Sequence, residues 1–460
     1  MTKSREPDGD PPENPGDEPE LSDSDDLLVF EEAPDDPELL EFDLTDADFV
    51  DESIGNADRR VRDSAKPPAT AKATVVPPKL PPKQLVLIGA GHAHLQIVNR
   101  WPRRRIPGVE LTLVSAFGQA ASSNMLSGAL AGLYRSEQML IDLPKLCERR
   151  GVRLIVDRAN SFDPVAREIE FAHQPKLNFD LASINIGSVP SSEELWQSHR
   201  IMISAKPLST FLARFHARFQ ELVEQWNQAP GTEMLQVVVV GGGAAGVEMA
   251  FCLEQRRYDL ELPIDVRVVD AHPGILNGFP QTTVRKVKKL FHKRGIEVSP
   301  GSRVVDCDDM GPSSLVLENG ERIRADLVIW VTGAAPPMSV RGFQLPKSSQ
   351  GFLTVRSTLQ STANVPVFAV GDVADLVDSS IPKSDLSTAR QAAVLQHNLA
   401  NWFTGRPLAV YRPLRSALSL LSCGDGTAIL SYKGFCFHGQ WVWRLKDRID
   451  RSWVRKYQMR

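Results

Sequence analysis

The stretch VVVVGGGAAGVE, Val237 to Glu248, opens with four β-branched apolar residues, turns at glycines and continues in helical rhythm. Such a run is a buried strand that turns into a helix. Gly241 permits the tight turn, Gly243 lets backbone approach a pyrophosphate, and Gly246 lets the helix pack close to the strand. The helix then points its positive dipole end at phosphate. The strand that follows ends at Asp270, a little beyond the usual distance for an acid that binds a ribose 2′-hydroxyl. A carboxylate there repels a 2′-phosphate, so NADH is expected over NADPH, which stays open.

A second turn of this kind lies about 150 residues earlier in LVLIGAGHAHLQIV, Leu85 to Val98. Gly89 and Gly91 keep the two essential roles, but His94 stands where the third glycine is usual, so the helix is expected to stand off slightly. The next strand ends in Ser115 rather than an acid. His92 and His94 are also candidate metal ligands. No third ligand is close in sequence, so capping or lining the phosphate loop is the preferred reading and no metal is expected.

Between and beyond the turns, strands and helices alternate. Strands are expected at Leu85–Ile88, Glu110–Val114, Arg153–Val156, Ser183–Ile186, Val237–Val240, Val266–Val269, Leu327–Val331 and Val367–Val370. Helices are expected at Thr210–Gln225, Ala244–Gln255 and Thr283–Arg294. That alternation predicts an α/β chain with parallel sheets covered on both faces, and two glycine turns predict two Rossmann-like dinucleotide-binding units.

The charge is uneven along the 460 residues. Residues 1–58 hold 22 of the 57 acids but only two of the 53 Lys/Arg, Lys3 and Arg5, a net of −20. The remainder carries 51 bases against 35 acids, a net of +16. Residues 1–82 read as a disordered acidic tail and linker, with a Pro/Lys boundary at Pro77 to Lys83. The clusters Leu27–Phe30 and Leu39–Phe42 leave open a protein partner for the tail, although a solvating tail is the commoner case. A basic body favours anionic partners; nucleic acid is not expected among them. The five cysteines form no C-x-x-C pair and no zinc spacing, which suits a reducing compartment. No apolar run approaches the roughly 20 residues of a membrane span. A cytoplasmic protein is expected, with peripheral membrane contact left open by the basic, Trp-containing stretch 441–460.

Two further segments give the glycine turns their context. VFAVGDVAD, Val367 to Asp375, is a strand ending in Gly371-Asp372, and WVTGAAPP, Trp330 to Pro337, carries Thr332-Gly333. In this order the four elements resemble the pyridine nucleotide-disulfide oxidoreductase-like flavoproteins over about residues 83–400. The resemblance implies FAD at Gly89, Gly91, His92, Ser115, Gly371 and Asp372. It implies a nicotinamide nucleotide at Gly241, Gly243, Gly246, Glu248, Asp270, Thr332 and Gly333. The implied units are 83–205 and 326–400 for FAD, 206–325 for NAD(P)H, and a C-terminal region 401–460.

The disulfide reductases of that family carry a cysteine pair beside the flavin, but the matching stretch here, Ala120 to Gly132, has none. The chain therefore also resembles type II NADH dehydrogenases, which implies an enzyme passing electrons from NADH through FAD to a quinone or other small acceptor. SSNMLSGALAGLY with IDLPKL, FDLASINIGSVP (Phe179 to Pro190), and the stretches 382–408 and 441–457 further resemble the oxidoreductase module found fused to selenophosphate synthetase (selenide, water dikinase). In the family fold a helix starting near Ser387 or Thr388, either a good N-cap, points at the flavin, with Lys383 and Gln391 facing the same space. Two rival functions stay open: a selenium- or sulfur-linked flavin oxidoreductase, and a flavin-bound interaction protein acting through its acidic tail.

Overall fold

Apolar runs that end at glycine become the buried strands of two parallel sheets. The computed structural model describes residues 81–228, 234–308, 313–379, 383–413 and 418–458. The acidic tail and most of the linker, with every expectation placed on them, lie outside the described residues. In chain order the elements used below are β1 (Lys83–Ile88), α1 (His92–Arg100), β2 (Val109–Ser115), α2 (Leu126–Leu130), β3 (Arg153–Val156), β4 (Leu181–Ile184), β5 (Met202–Ser204) and α3 (Leu208–Gln228). They continue with β6 (Leu235–Val240), α4 (Ala244–Asp259), β7 (Ile264–Asp270), α5 (Gln281–Arg294), β8 (Glu297–Pro300), β9 (Leu327–Trp330), β10 (Val367–Ala369) and α6 (Asp385–Thr404). The chain closes with β11 (Ser419–Ser422), β12 (Ala428–Tyr432), β13 (Phe435–Gly439) and α7 (Gln440–Arg455).

The first sheet has the order β10-β4-β1-β2-β3 and the second β5-β9-β6-β7-β8. Every pairing in both is parallel. Central strands of such sheets are covered on both faces, which is why Leu85–Ile88 and Val237–Val240 are apolar throughout rather than alternating. Two expected limits move. The boundaries at 205/206 and 325/326 assign β5 and β9 to the first unit, yet both strands are bonded into the second sheet, Met202 opposite Val328 and Val237 opposite Leu327. A strand as short as β5, three residues, leaves too little periodicity to assign.

The C-terminal region is a three-stranded antiparallel sheet, β11-β12-β13, followed by α7. It packs on both units. Trp443 of α7 stacks on Tyr134 at 5.8 Å, and Trp453 meets the His92 ring edge-on at 4.2 Å. These tryptophans face the body, so the basic helix folds back with its Arg448 and Arg455 outward. Beneath it lies a buried charge cluster. Lys446 Nζ donates to Asp450 Oδ2 at 2.9 Å and to the Asn124 carbonyl at 2.9 Å, and stands 3.9 Å from Glu248 Oε1. Burial opposes the Lys446 charge, but the two carboxylates outweigh it and raise its pKa. One ammonium serves two buried carboxyls, so burial prevails over it and raises both Asp450 and Glu248.

Breaking such a cluster leaves an uncompensated buried charge. Lys446→Met is expected to destabilise the protein by about 3 to 5 kcal/mol. Adding Asp450→Leu and Glu248→Gln should recover most of that loss in the denaturation midpoint. A triple variant no more stable than the single one would contradict the cluster's role.

Candidate cofactor clefts

Both glycine turns open at the carboxyl ends of their sheets, where parallel α/β sheets bind ligands. At the first turn Gly89 adopts φ +95°, a conformation that favours glycine. Around it closes a residue the sequence reading did not single out, Asn185, just past the end of β4. Its backbone N–H donates to the Ile88 carbonyl at 2.7 Å, and its carbonyl accepts the Gly91 N–H at 3.2 Å. Its side-chain Oδ1 accepts the Ala93 N–H at 3.2 Å and the His94 N–H at 3.4 Å, while Nδ2 donates to the Val370 carbonyl at 2.9 Å. A Cβ on Gly89 or Gly91 would overlap Asn185, and one on Gly371 would lie 2.5 Å from its Nδ2. Asn185 lies within the quoted FDLASINIGSVP; a polar residue ending an apolar strand was the available signal.

The two histidines of the turn have opposite fates. His94 is fully buried, with Nδ1 2.7 Å from the Gly89 carbonyl and Nε2 2.8 Å from Ser183 Oγ. A carbonyl only accepts, so Nδ1 carries the proton and Nε2 takes the serine's. Burial pushes its pKa down to about 4, leaving a neutral ring that braces the turn against β4. His92 begins α1 and pairs with Asp385, the first residue of α6, at 2.9 Å; Asp385 also accepts Ser123 Oγ. Burial opposes the imidazolium, but Asp385 foremost, with Asp372 and Asp450, outweighs it and raises the His92 pKa. Among the described residues no group of His, Cys, Asp and Glu is arranged to hold a metal.

Ser115 ends β2 and closes on itself: its Oγ donates to the Phe117 carbonyl at 2.9 Å. Across the cleft, the Gly371 N–H donates to Gln391 Oε1 at 2.7 Å. Asp372 Oδ2 accepts Ser188 Oγ at 2.9 Å and lies 3.4 Å from Lys206 Nζ, which itself donates to Ser188 at 2.7 Å. Gln391 is buried, with the Tyr411 hydroxyl close to its side-chain amide. Lys383 is otherwise engaged: its ammonium donates to the Ala374 carbonyl and to Asp375 at 2.6 Å each, and lies 4.0 Å from the centre of the Phe352 ring. The cap of α6 is Ser384, whose Oγ accepts the Ser387 N–H at 3.3 Å; Ser387 and Thr388 are already inside the helix. The helix starts earlier than expected because Asp385, favourable in a first turn, extends it.

At the second turn Gly241 takes φ +120°. A Cβ on Gly246 would overlap the Gly241 carbonyl, so α4 packs directly on the turn, while the space at Gly243 is open. Asp270 ends β7; its Oδ2 accepts the Gly242 N–H and its Oδ1 accepts the His272 N–H at 2.7 Å, with His272 Nδ1 at 2.8 Å. Thr332 and Gly333 line the crossing between the units, where Ser191 donates its N–H to the Gly333 carbonyl at 2.8 Å and its Oγ to Thr332 Oγ1 at 2.9 Å. Glu248 does not sit with them. It turns toward α2 and α7, where Oε1 accepts the Ser422 N–H at 2.8 Å and Ser127 Oγ at 3.3 Å beside Lys446. Its helix places it one turn past Gly243, on the side that meets the first unit. All five cysteines are free and buried, and burial lifts the Cys423 thiol to about 12.

The geometry agrees with known proteins. The NADH dehydrogenase-like protein YutJ of Bacillus subtilis is 22% identical over 321 residues, covering 70% of this chain and 84% of that one. The type II NADH:quinone oxidoreductase of Staphylococcus epidermidis is 23% identical over 376 residues, covering 76% and 90%. Among solved structures, the sulfide:quinone oxidoreductase of Aquifex aeolicus superposes with a TM-score of 0.69 at 17% identity, covering 82% and 91%. The family model for pyridine nucleotide-disulphide oxidoreductases matches residues 83–394, both glycine turns and the returning Gly371-Asp372 included. A match of that extent, carried by two clefts of the same build, makes this chain a member of the pyridine nucleotide-disulphide oxidoreductase family.

Proposed function

We propose that the chain is an FAD-dependent NADH dehydrogenase-like oxidoreductase that delivers electrons to a quinone or another small acceptor. The observation that carries this reading is the pair of strand–glycine–helix clefts on two parallel sheets, joined by the Ser191–Thr332/Gly333 crossing. When bound, FAD would take two electrons from the nicotinamide and release them to the acceptor.

The first cleft fits that group. Asn185 holds the Gly91, Ala93 and His94 N–H groups, so a pyrophosphate at this turn would meet the positive dipole end of α1 and the His92 N–H. Asp372 stands where a carboxylate could accept a hydroxyl, and the Cβ-free backbone of Gly371 lies beside it. Lys206 and Ser188 hold the Asp372 carboxylate in place. In the second cleft Gly243 leaves room at the N-terminus of α4, and the Asp270 carboxylate opposes a 2′-phosphate. The names of the relatives support a quinone as acceptor, which would bring the protein to a membrane surface peripherally. No helix of the described residues is long and apolar enough to cross one.

Three outcomes test the reading. The purified protein should be yellow and should bleach when NADH is mixed in anaerobically, with NADPH at least about tenfold slower, equivalent to roughly 1.4 kcal/mol of barrier. Equal rates with both nucleotides would remove Asp270 from nucleotide choice, and a colourless protein that takes up no FAD would end the proposal. Asn185→Ala removes three side-chain hydrogen bonds of about 1 kcal/mol each, so FAD retention, read by released flavin fluorescence, should weaken about a hundredfold. The His92–Asp385 pair gives a pH dependence. Because the folded-state pKa of His92 is raised, its stabilisation is complete below the ordinary value of about 6.5 and is lost as pH climbs through the raised one. His92→Gln should therefore cost about 2 kcal/mol near pH 6 and progressively less toward pH 9; a difference that does not change with pH would refute the charged pair.

A further inference from the structure

Helix α5, QTTVRKVKKLFHKR, contains no acidic residue. Its inner face, Thr283, Val287 and Phe291, is buried in the second unit. Its outer face carries Arg285, Lys288, Lys289 and Lys293, all exposed, on neighbouring positions one turn apart. Like charges at that spacing repel, and Arg285 stands in the half of the helix whose dipole already disfavours cations. Among the described residues none of these four meets a carboxylate. Arg294 at the helix end, by contrast, pairs with Asp425.

The stripe continues onto the C-terminal sheet. Thr282 Oγ1 donates to the Gly434 carbonyl at 2.7 Å, which fixes the β12–β13 turn against the first turn of α5. That turn presents Lys433 and Phe435, the latter 60% exposed. The surface is thus a row of unanswered cations ending at one open aromatic ring.

The chain itself carries the complement. Residues 1–58 have a net charge of −20, with the apolar clusters Leu27–Phe30 and Leu39–Phe42 set among the acids. They are joined to β1 through residues 59–82, a span that reaches about 80 Å when extended. A body of this size has a radius of gyration of about 21 Å, so the segment can reach any face of it. Tethering sets its effective concentration in the millimolar range, far above that of any free competitor. A lipid surface is the weaker match: among the described residues Phe435 is the one aromatic ring this surface exposes, and the outward face of α5 itself adds no apolar side chain to insert beside it.

We infer that residues 1–58 dock on the basic face of α5 and the adjoining β12–β13 turn, acids against Arg285, Lys288, Lys289 and Lys293, and an apolar cluster against Phe435. This contact is independent of the redox reading.

The test uses the full chain and a carbodiimide, which joins carboxylates to lysines in direct contact. Links from residues 1–58 should concentrate on Lys288, Lys289 and Lys293. They should fall about fivefold or more on moving from low salt to 1 M NaCl, where the Debye length shrinks to about 3 Å. The Stokes radius of the wild type should grow over the same titration. The variant Arg285→Gln/Lys288→Gln/Lys289→Gln/Lys293→Gln should show the larger radius already at low salt. The control Arg448→Gln/Arg455→Gln/Lys456→Gln should behave as wild type. Links spread evenly over surface lysines, links only between molecules, or a control that expands equally would overturn the inference. So would a four-site variant of unchanged radius that loses binding only to phosphatidylglycerol vesicles, which would assign the face to lipid.

Discussion

The architecture of the first cleft depends on one short-range constraint: two backbone segments far apart in sequence, 88–94 and 370–371, must both approach a single asparagine. Asn185 bonds the end of β1, the start of α1 and the Val370 carbonyl before Gly371. At Gly89, Gly91 and Gly371 a Cβ would collide with it. The glycines therefore do more than turn the chain. They let an amide side chain sit where a longer segment would otherwise be needed to hold α1, β4 and β10 at one distance. Once these are fixed, the N-termini of α1 and α6 face each other, and the His92–Asp385 pair spans the gap between them.

The same physics explains why two histidines in one hexapeptide behave differently. His94 is fully buried and His92 largely so, and desolvation penalises the charged ring in each. Around His94 the neighbours are a carbonyl and a hydroxyl, which a neutral tautomer satisfies fully. Around His92 they are carboxylates, and the imidazolium is the form they select. Sequence position alone could not separate them, because the deciding groups, Ser183 and Asp385, come from strands and helices remote in the chain.

Much of the fold is legible because its signals are local and periodic: apolar runs and glycine turns place the first sheet and β6, β7 and β9 of the second to within a few residues, while the short edge strands β5 and β8 carry no such signal. The cleft was legible where the requirement is steric, as at Gly241 and Gly246. It was illegible where a side chain's partner arrives from elsewhere. Glu248 sits in the glycine-turn segment and was assigned to the nucleotide, but the C-terminal region supplies Lys446 and the Ser422 N–H and draws it away. Lys383 was placed near the flavin by its position before α6, yet Asp375 and Phe352 hold it. The cap of α6 moved to Ser384 for a similar reason, since several residues of that stretch can cap and only the path of the chain selects one.

The displacement of Glu248 has its source in the C-terminal region, and this gives that region a role beyond covering apolar surface. Helix α7 contributes Trp453 to the ring of His92 at the first turn and Lys446 to Glu248 on the helix of the second turn. A single helix thus touches the leading element of both clefts. Neither contact is a simple hydrophobic seal: one lies against a charged imidazole, and the other is an ammonium shared between carboxyls. Buried charge tolerates little displacement, because the attraction falls as the surrounding dielectric rises. Sliding α4 against α7 would separate Glu248 from Lys446 and expose both charges, while the Lys446–Asp450 pair, one turn apart on α7, would move as a unit. The relative placement of the two clefts, on which any direct electron transfer between their occupants depends, is therefore held by electrostatics at α7 as much as by the chain crossings at Ser191 and Thr332.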